Sequence, residues 1–227
     1  ATRVNASGNI EKETQNLFAG SNTFDTTWYG TTSVTSGQSG YDGTNDAWLL
    51  ERTAAFNNRS YNINQSGVQT FSVYVKAGTY DWVYLRYQNA SPVSYVGAYF
   101  DLVNGVVGAI NSGIISAEIE SAGNGFYRCS ITFNATLARV LIYPVDSNGG
   151  EGNSGTGNIL IQDAQLEQGL VARDYIETTT TAIYGGITDN VPRLDYTDSS
   201  CPALLLEPQR TNLMTHSEYF DSWTNIE

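Results

Sequence analysis

Residues 157–178 read GNILIQDAQLEQGLVARDYIET. Leu160, Gln162, Ala164 and Leu166 fall on one parity, and Ile159, Ile161, Asp163 and Gln165 fall on the other. That is the period of a β-strand with apolar character on both sides. Gly169 ends the run, and DYIET leads out into a run of threonines. The spacing predicts the last strand of a β-sandwich, lying beside the segment that opens the domain.

Working back from that strand, the same period recurs. In VQTFSVYVK (68–76), Phe71, Val73 and Val75 alternate with Ser72, Tyr74 and Lys76. In YDWVYLRYQ (80–88), Val83, Leu85 and Tyr87 face one way and Trp82, Tyr84 and Arg86 the other. The turn at Ala77-Gly78 suggests that these two strands pair. Further short strands are expected at 31–34, 61–63, 94–102, 105–110, 114–119, 126–134 and 139–144. AWLLER (47–52) reads as a strand, with a short helix as the competing reading. Asn16-Leu17-Phe18 is expected to open the first strand, with Phe24 and Trp28 as apolar anchors. Tyr127, Cys129, Ile131 and Phe133 share a parity, which marks Cys129 as a small core residue. Many short strands with Gly and Asn turns and no convincing helix define the fold class as all-β, an antiparallel β-sandwich or jelly roll.

The composition agrees. Of 227 residues, 41% are hydrophobic, enough for a sizeable core, and only 15% are charged. The net charge of −12 repels phosphate backbones and anionic membranes, which argues against nucleic-acid binding. No apolar run approaches the ~18 residues of a membrane span. Two cysteines, Cys129 and Cys201, do not make a disulfide scaffold. The chain opens ATRVN, as if cut from a longer protein.

Composition shifts divide the chain into an N-terminal connector (1–12), the sandwich module (13–178), an extended connector (179–211) and the opening strand of a second, incomplete module (212–227). The connector holds Pro192, Pro202 and Pro208, which preclude long central strands. The last segment follows from a repeat. Asn16-Leu17 matches Asn212-Leu213, Ser21 matches Ser217, and Phe24-Asp25 matches Phe220-Asp221, all at one constant interval. Trp28 matches Trp223 with one residue dropped. A long-period repeat is the signature of an array of like modules.

Several segments together resemble fibre proteins of tailed bacteriophages: ATRVNASGNIE, TFSVYVKAG, GNGFYRCSIT, ILIQDAQLEQG followed by YIET, and above all the connector VPRLDYTDSSCPALLLEPQRTNL. The modules in those proteins resemble jelly-roll carbohydrate-binding modules. The resemblance implies a structural and adhesive module of a virion fibre, at the virion surface or extracellular, contacting host glycans. The alternative is a non-catalytic carbohydrate-binding module of a secreted polysaccharide-degrading enzyme. The resemblance also implies a structural Ca²⁺, with Asp163 at the acidic position of the closing strand and Asp25 in the opening segment. The apolar runs PRLDY and ALLLE of the connector suggest a homo-oligomer, a trimer by preference, as in fibres.

Residues that carry chemistry are few. His216 is the only histidine and lies outside the full module, so a Ser–His–Asp site is not expected there. Asp81, Asp101 and Asp146 read as turn or surface carboxylates, and no enzyme is expected. For glycan binding, Trp82, Tyr84 and Arg86 on one strand face, with Tyr74 on the strand taken as its neighbour, form a candidate platform. Flat aromatic faces take the C–H face of a pyranose while adjacent polar groups bind its hydroxyls.

Overall fold

The computed structural model describes residues 2–4, 10–12, 15–183, 193–195 and 203–205, with side chains over 15–183. Two units separate, Lys12–Gly186 and the two flanking pieces taken together. In the flanking pieces, β1 (Thr2–Val4) pairs with β2 (Ile10–Lys12), and β13 (Arg193–Asp195) pairs antiparallel with β14 (Ala203–Leu205). The two apolar runs of the connector therefore pair with one another. Cys201 and the repeat over 212–227 lie outside the described residues.

The larger unit holds ten strands: β3 (Tyr29–Gly30), β4 (Ser33–Gln38), β5 (Ala47–Arg52), β6 (Arg59–Ala77), β7 (Trp82–Asn89), β8 (Ser94–Asp101), β9 (Val106–Ile110), β10 (Ile114–Gly123), β11 (Phe126–Val145) and β12 (Gly157–Gln168). Every pairing in this unit is antiparallel. The chain folds as the all-β antiparallel sandwich that the alternation predicts.

Two long strands make the sandwich, and each fuses two strands expected separately. β6 joins 61–63 to 68–76 through Gly67, whose φ of +98° suits glycine and whose missing side chain has nothing near it. β11 joins 126–134 to 139–144 across a register irregularity between Leu137 and Arg139. The C-terminal half of β6 and the N-terminal half of β11 belong to one layer, with β12, β5, β4 and β10. Their other halves belong to the second layer, with β3, β7, β8 and β9. The folding over is visible in one contact. Tyr87 stands opposite Val140, ~23 Å along a straight strand from Phe133. Yet the Tyr87 and Phe133 rings stack with centroids 4.2 Å apart. The core lies between the layers: Phe71, Val73, Val75, Ile131, Phe133 and Ile161 from the first, Val83, Leu85, Phe100, Val140 and Ile142 from the second, all fully buried. Cys129 is buried among them, as expected.

Two sequence expectations about the strands need correction. β7 does not pair with β6. It lies between β11 and β8, because residues 78–81 carry the chain from one layer to the other instead of turning it back. Asn16-Leu17-Phe18 is not a regular strand. It makes one isolated bridge, Asn16 to Ile183, and the Leu17 amide donates to the Leu166 carbonyl at 2.8 Å. Residues 47–52 are the strand that was expected, since β5 is paired on both sides, by β4 and β12.

The closing strand does lie beside the opening segment. The Ala164 amide donates to the Ser21 carbonyl at 3.1 Å, and the Asp163 amide to Asn22 Oδ1 at 3.1 Å. Asn16, fully buried, donates from Nδ2 to the carbonyls of Ala164 and Ile176. β12 is not apolar on both faces. Its register slips between Gln162 and Gln165, where Asp163 takes φ +53°, and the slip switches the inward parity from Ile159 and Ile161 to Ala164 and Leu166.

Candidate functional site

The outward face of the second layer is set by the parity of β7. With Val83, Leu85 and Tyr87 in the core, Trp82, Tyr84, Arg86 and Gln88 point away from it. Opposite them on β11 stand Val145, Tyr143, Leu141 and Arg139, and on β8 stand Asp101, Tyr99, Gly97 and Tyr95. Tyr84, Tyr99, Leu141, Tyr143 and Val145 form a second buried cluster outside the main core, with Trp82 packed against it.

The rings of this cluster are tightly placed. Tyr84 and Tyr99 stack with centroids 4.1 Å apart and planes within 10°. Gly97 permits that arrangement, because a Cβ there would meet the Leu85 carbonyl at 2.1 Å and the Tyr84 ring at 2.8 Å. The Tyr84 hydroxyl donates to Asn111 Oδ1 at 2.8 Å, and Tyr99 donates to the Glu151 carboxylate. Glu151 is carried by a single 3₁₀ turn, Gly150–Gly152, in the loop after β11. Arg52, fully buried, clamps that loop. It donates to the carbonyls of Ala54, Pro144, Gly150, Glu151 and Asn153. Burial pushes the Tyr84 hydroxyl up to about 12, against the pull of the Arg86 cation, and it raises Tyr143 as well. Both phenols are neutral, and the Tyr84 hydroxyl is a fixed hydrogen-bonding group.

Against this backing lies Arg86. Its guanidinium sits 4.0 Å from the centre of the Tyr95 ring, 5.3 Å from Tyr143 and 6.0 Å from Tyr84. Tyr95 is 45% exposed, and Trp82 and Arg86 are half-buried. Trp82 lies four residues along β7 from Arg86, or ~13 Å. Arg139, half-buried on the same face, donates from Nε to Gln88 Oε1.

Of the four platform residues named from the sequence, the structure brings Trp82, Tyr84 and Arg86 to one face. Tyr74 is elsewhere, because β11 intervenes between β6 and β7 and the outward face at Tyr74 belongs to the first layer. There Tyr74 stacks on Tyr41 with centroids 3.9 Å apart, beside Arg128. Tyr84 backs the face without being open to a ligand. Sequence reasoning missed Tyr95, Tyr99 and Tyr143. The first two share a parity on β8 and were open to the same argument as Trp82 and Tyr84. Tyr143 falls on the outward parity of 139–144, opposite in parity to Val140 and Ile142, and was open to it as well.

Asp163 and Asp25 have different surroundings. Asp163 is buried at the β12 slip, where Oδ2 accepts from the Tyr41 hydroxyl at 3.0 Å. Burial pushes its carboxyl up to about 7; the Tyr41 contact works against this, and Asp46 and Asp42 add repulsion. Asp25 is exposed and acts on the Arg59 guanidinium. Calcium takes roughly six to eight oxygen ligands, most of its charge balance coming from ionised carboxylates. Among the described residues no group of three or more His, Cys, Asp and Glu side chains is placed to hold a metal ion. The pair does not fit a calcium site.

The remaining carboxylates named from the sequence are turn residues. Asp101 accepts from the amides of Val103 and Asn104, and Asp146 accepts from Ser147 and Asn153. Asp81 is exposed.

No known family model and no curated protein matches the sequence. Among solved structures the chain is similar to the CBM22-1–GH10 modules of the Clostridium thermocellum N-terminal endo-1,4-β-D-xylanase 10B, complexed with xylohexaose. Identity is 13% and the TM-score 0.43, over 70% of this chain and 29% of that one.

Proposed function

We propose that this chain is a non-catalytic glycan-binding module whose sugar face is the outer surface of the second layer. The observation that carries the reading is the group of Trp82, Arg86 and Tyr95, half-buried or exposed, held on a buried floor of Tyr84, Tyr99 and Tyr143. Rings fixed in this way lose little entropy when a ligand stacks on them. A core aromatic would instead be covered from both sides. No reaction is assigned to the site. Its carboxylate, Glu151, is engaged by Tyr99, and the Cys129 thiol is buried and pushed up.

The place of the module is read from sequence. The connector and the repeat over 212–227 favour a virion fibre of a tailed bacteriophage, built from like modules. The described copy supports the repeat as a module opening, since of the positions it keeps Asn16, Leu17, Ser21, Phe24 and Trp28 are buried and Asp25 is exposed. Negative-stain images of extended shafts would support the fibre; compact single particles would contradict it. The binding face itself is tested on a glycan array with the wild type and with Trp82→Ala and Tyr95→Ala. Binding by the wild type that both variants lose is expected. No binding, or binding that the variants retain, contradicts the assignment.

A further inference from the structure

We infer that the glycan taken by this face is acidic, a saccharide bearing carboxylates, and that Arg86 and Arg139 receive them. The inference rests on the sugar-binding reading above and goes beyond it by assigning a charge to the ligand.

The protein is strongly acidic, at −12, with more than two carboxylates for every Lys or Arg. In such a chain a surface arginine is expected to find an acidic partner. Arg86 has none. Its positive charge rests on tyrosine rings, and its Nε is buried without an acceptor. The ion pair between described residues joins Arg173 to Glu167, away from this face. Arg139 is likewise held by a neutral group, the Gln88 amide oxygen. The pairing of β7 with β11 puts Arg86 opposite Leu141 and Gln88 opposite Arg139, so the two guanidinium stems are diagonal neighbours on one face. Both cations act on the Tyr143 hydroxyl, with Glu151 acting the other way.

The acidic side chains on this face lie toward the Trp82 end of the pairing: Asp101, opposite Trp82, is held by the amides of its own turn, and Glu151 is tied to Tyr99. The two cations thus sit toward the other end, with no ion pair to either among the described residues. Stacking on Tyr95 orients the Arg86 plane and leaves its outer N–H groups as a fork. A fork of this kind matches a carboxylate bidentately, better than it matches a hydroxyl. A neutral sugar would leave both charges without a counter-charge. A chain of uronic-acid sugars supplies separate pyranoses for Trp82 and Tyr95, and a carboxylate for Arg86.

The test is calorimetric titration of the full chain at neutral pH. The probes are oligosaccharides of galacturonate, glucuronate and mannuronate, their fully methyl-esterified counterparts, and neutral xylo- and cello-oligosaccharides. The esters keep the rings and remove the charge. The expected result is binding of at least one uronate series, loss of about tenfold or more in affinity on esterification, and a similar loss in Arg86→Gln and Arg139→Gln. Circular dichroism checks that both variants fold, and Arg86→Lys should recover only part of the affinity. Equal binding of acid and ester, or binding of the neutral series alone, overturns the inference and leaves the sugar-binding reading standing. If no saccharide of any series binds, the reading beneath it falls as well.

Discussion

The Arg86 guanidinium lies 4.0 Å from the centre of the Tyr95 ring, on adjacent strands of one outward face. A cation placed on an exposed ring gains about 0.5–1 kcal/mol, too little to hold a fold together. The contact is therefore a surface arrangement, and the two sides of the aromatic cluster should respond differently to truncation.

Tyr95→Ala should cost no more than about 1 kcal/mol, the scale of its contact with Arg86, since the ring is 45% exposed. Tyr84→Ala should cost about 3–5 kcal/mol, the range for truncating a large buried ring, since it removes a ring stacked on Tyr99. Tyr84→Phe should cost only about 1 kcal/mol, for the hydrogen bond to Asn111. Urea denaturation midpoints at constant slope measure all three.

Arg52 is expected to matter for the loop more than for charge. Arg52→Met leaves the carbonyls of Pro144, Gly150 and Glu151 without their donor. A loss of about 2–4 kcal/mol follows from several buried acceptors left unpaired. Amide hydrogen exchange over 146–156 should rise in the variant more than exchange in β6. Uniform change across both would contradict the clamp.

The first statement of the fold was legible in the alternation of β6, β7 and β11, because period two survives wherever one face is buried. What the alternation could not convey was continuity. Gly67 in β6 and the irregularity at Leu137 in β11 look like chain breaks in sequence, yet they are where two strands pass between layers. The same blindness misplaced Tyr74: adjacency in sequence was taken for adjacency in the sheet, while β11 came in between from far along the chain. In β12 the mixed parity of Ile161 and Leu166 looked like two apolar faces. It was one apolar face interrupted by the slip at Asp163. Trp82 and Arg86 were found because their parity with Val83 and Leu85 is unbroken.

Asp163 gives a pH signature. Its carboxyl titrates at 3.8 in the unfolded chain and at about 7 in the fold, raised chiefly by burial. A raised carboxyl favours the fold while it is neutral, so its contribution is fully present below about pH 4 and is lost as pH rises through about 7. Asp163→Asn should gain in melting temperature over the wild type as pH increases from about 4 to 8. Asparagine tolerates the left-handed backbone at φ +53°. A constant difference between the two proteins across that range would contradict the assignment.

Asn16→Ala should be among the costliest single changes in the sandwich, at about 2–4 kcal/mol. It removes donors to Ala164 and Ile176 and an acceptor for the Phe18 amide, all within the buried junction of opening segment and closing strand. Thermal melts of this variant beside Asp25→Ala, which alters an exposed residue also kept by the repeat, separate a structural role from a mere sequence echo. A small loss for Asn16→Ala would contradict the account of the junction.

On the proposed reading, one face of the sandwich holds the glycan and the other does not. The direct measurement is a nitrogen-resolved nuclear magnetic resonance titration with the oligosaccharide that binds best. Shifts concentrated at the Trp82 indole, Arg86, Tyr95 and Arg139 are predicted, with Tyr41, Tyr74 and Arg128 on the opposite layer unmoved. Shifts centred on Tyr41 and Tyr74, or none anywhere at saturating ligand, would contradict it.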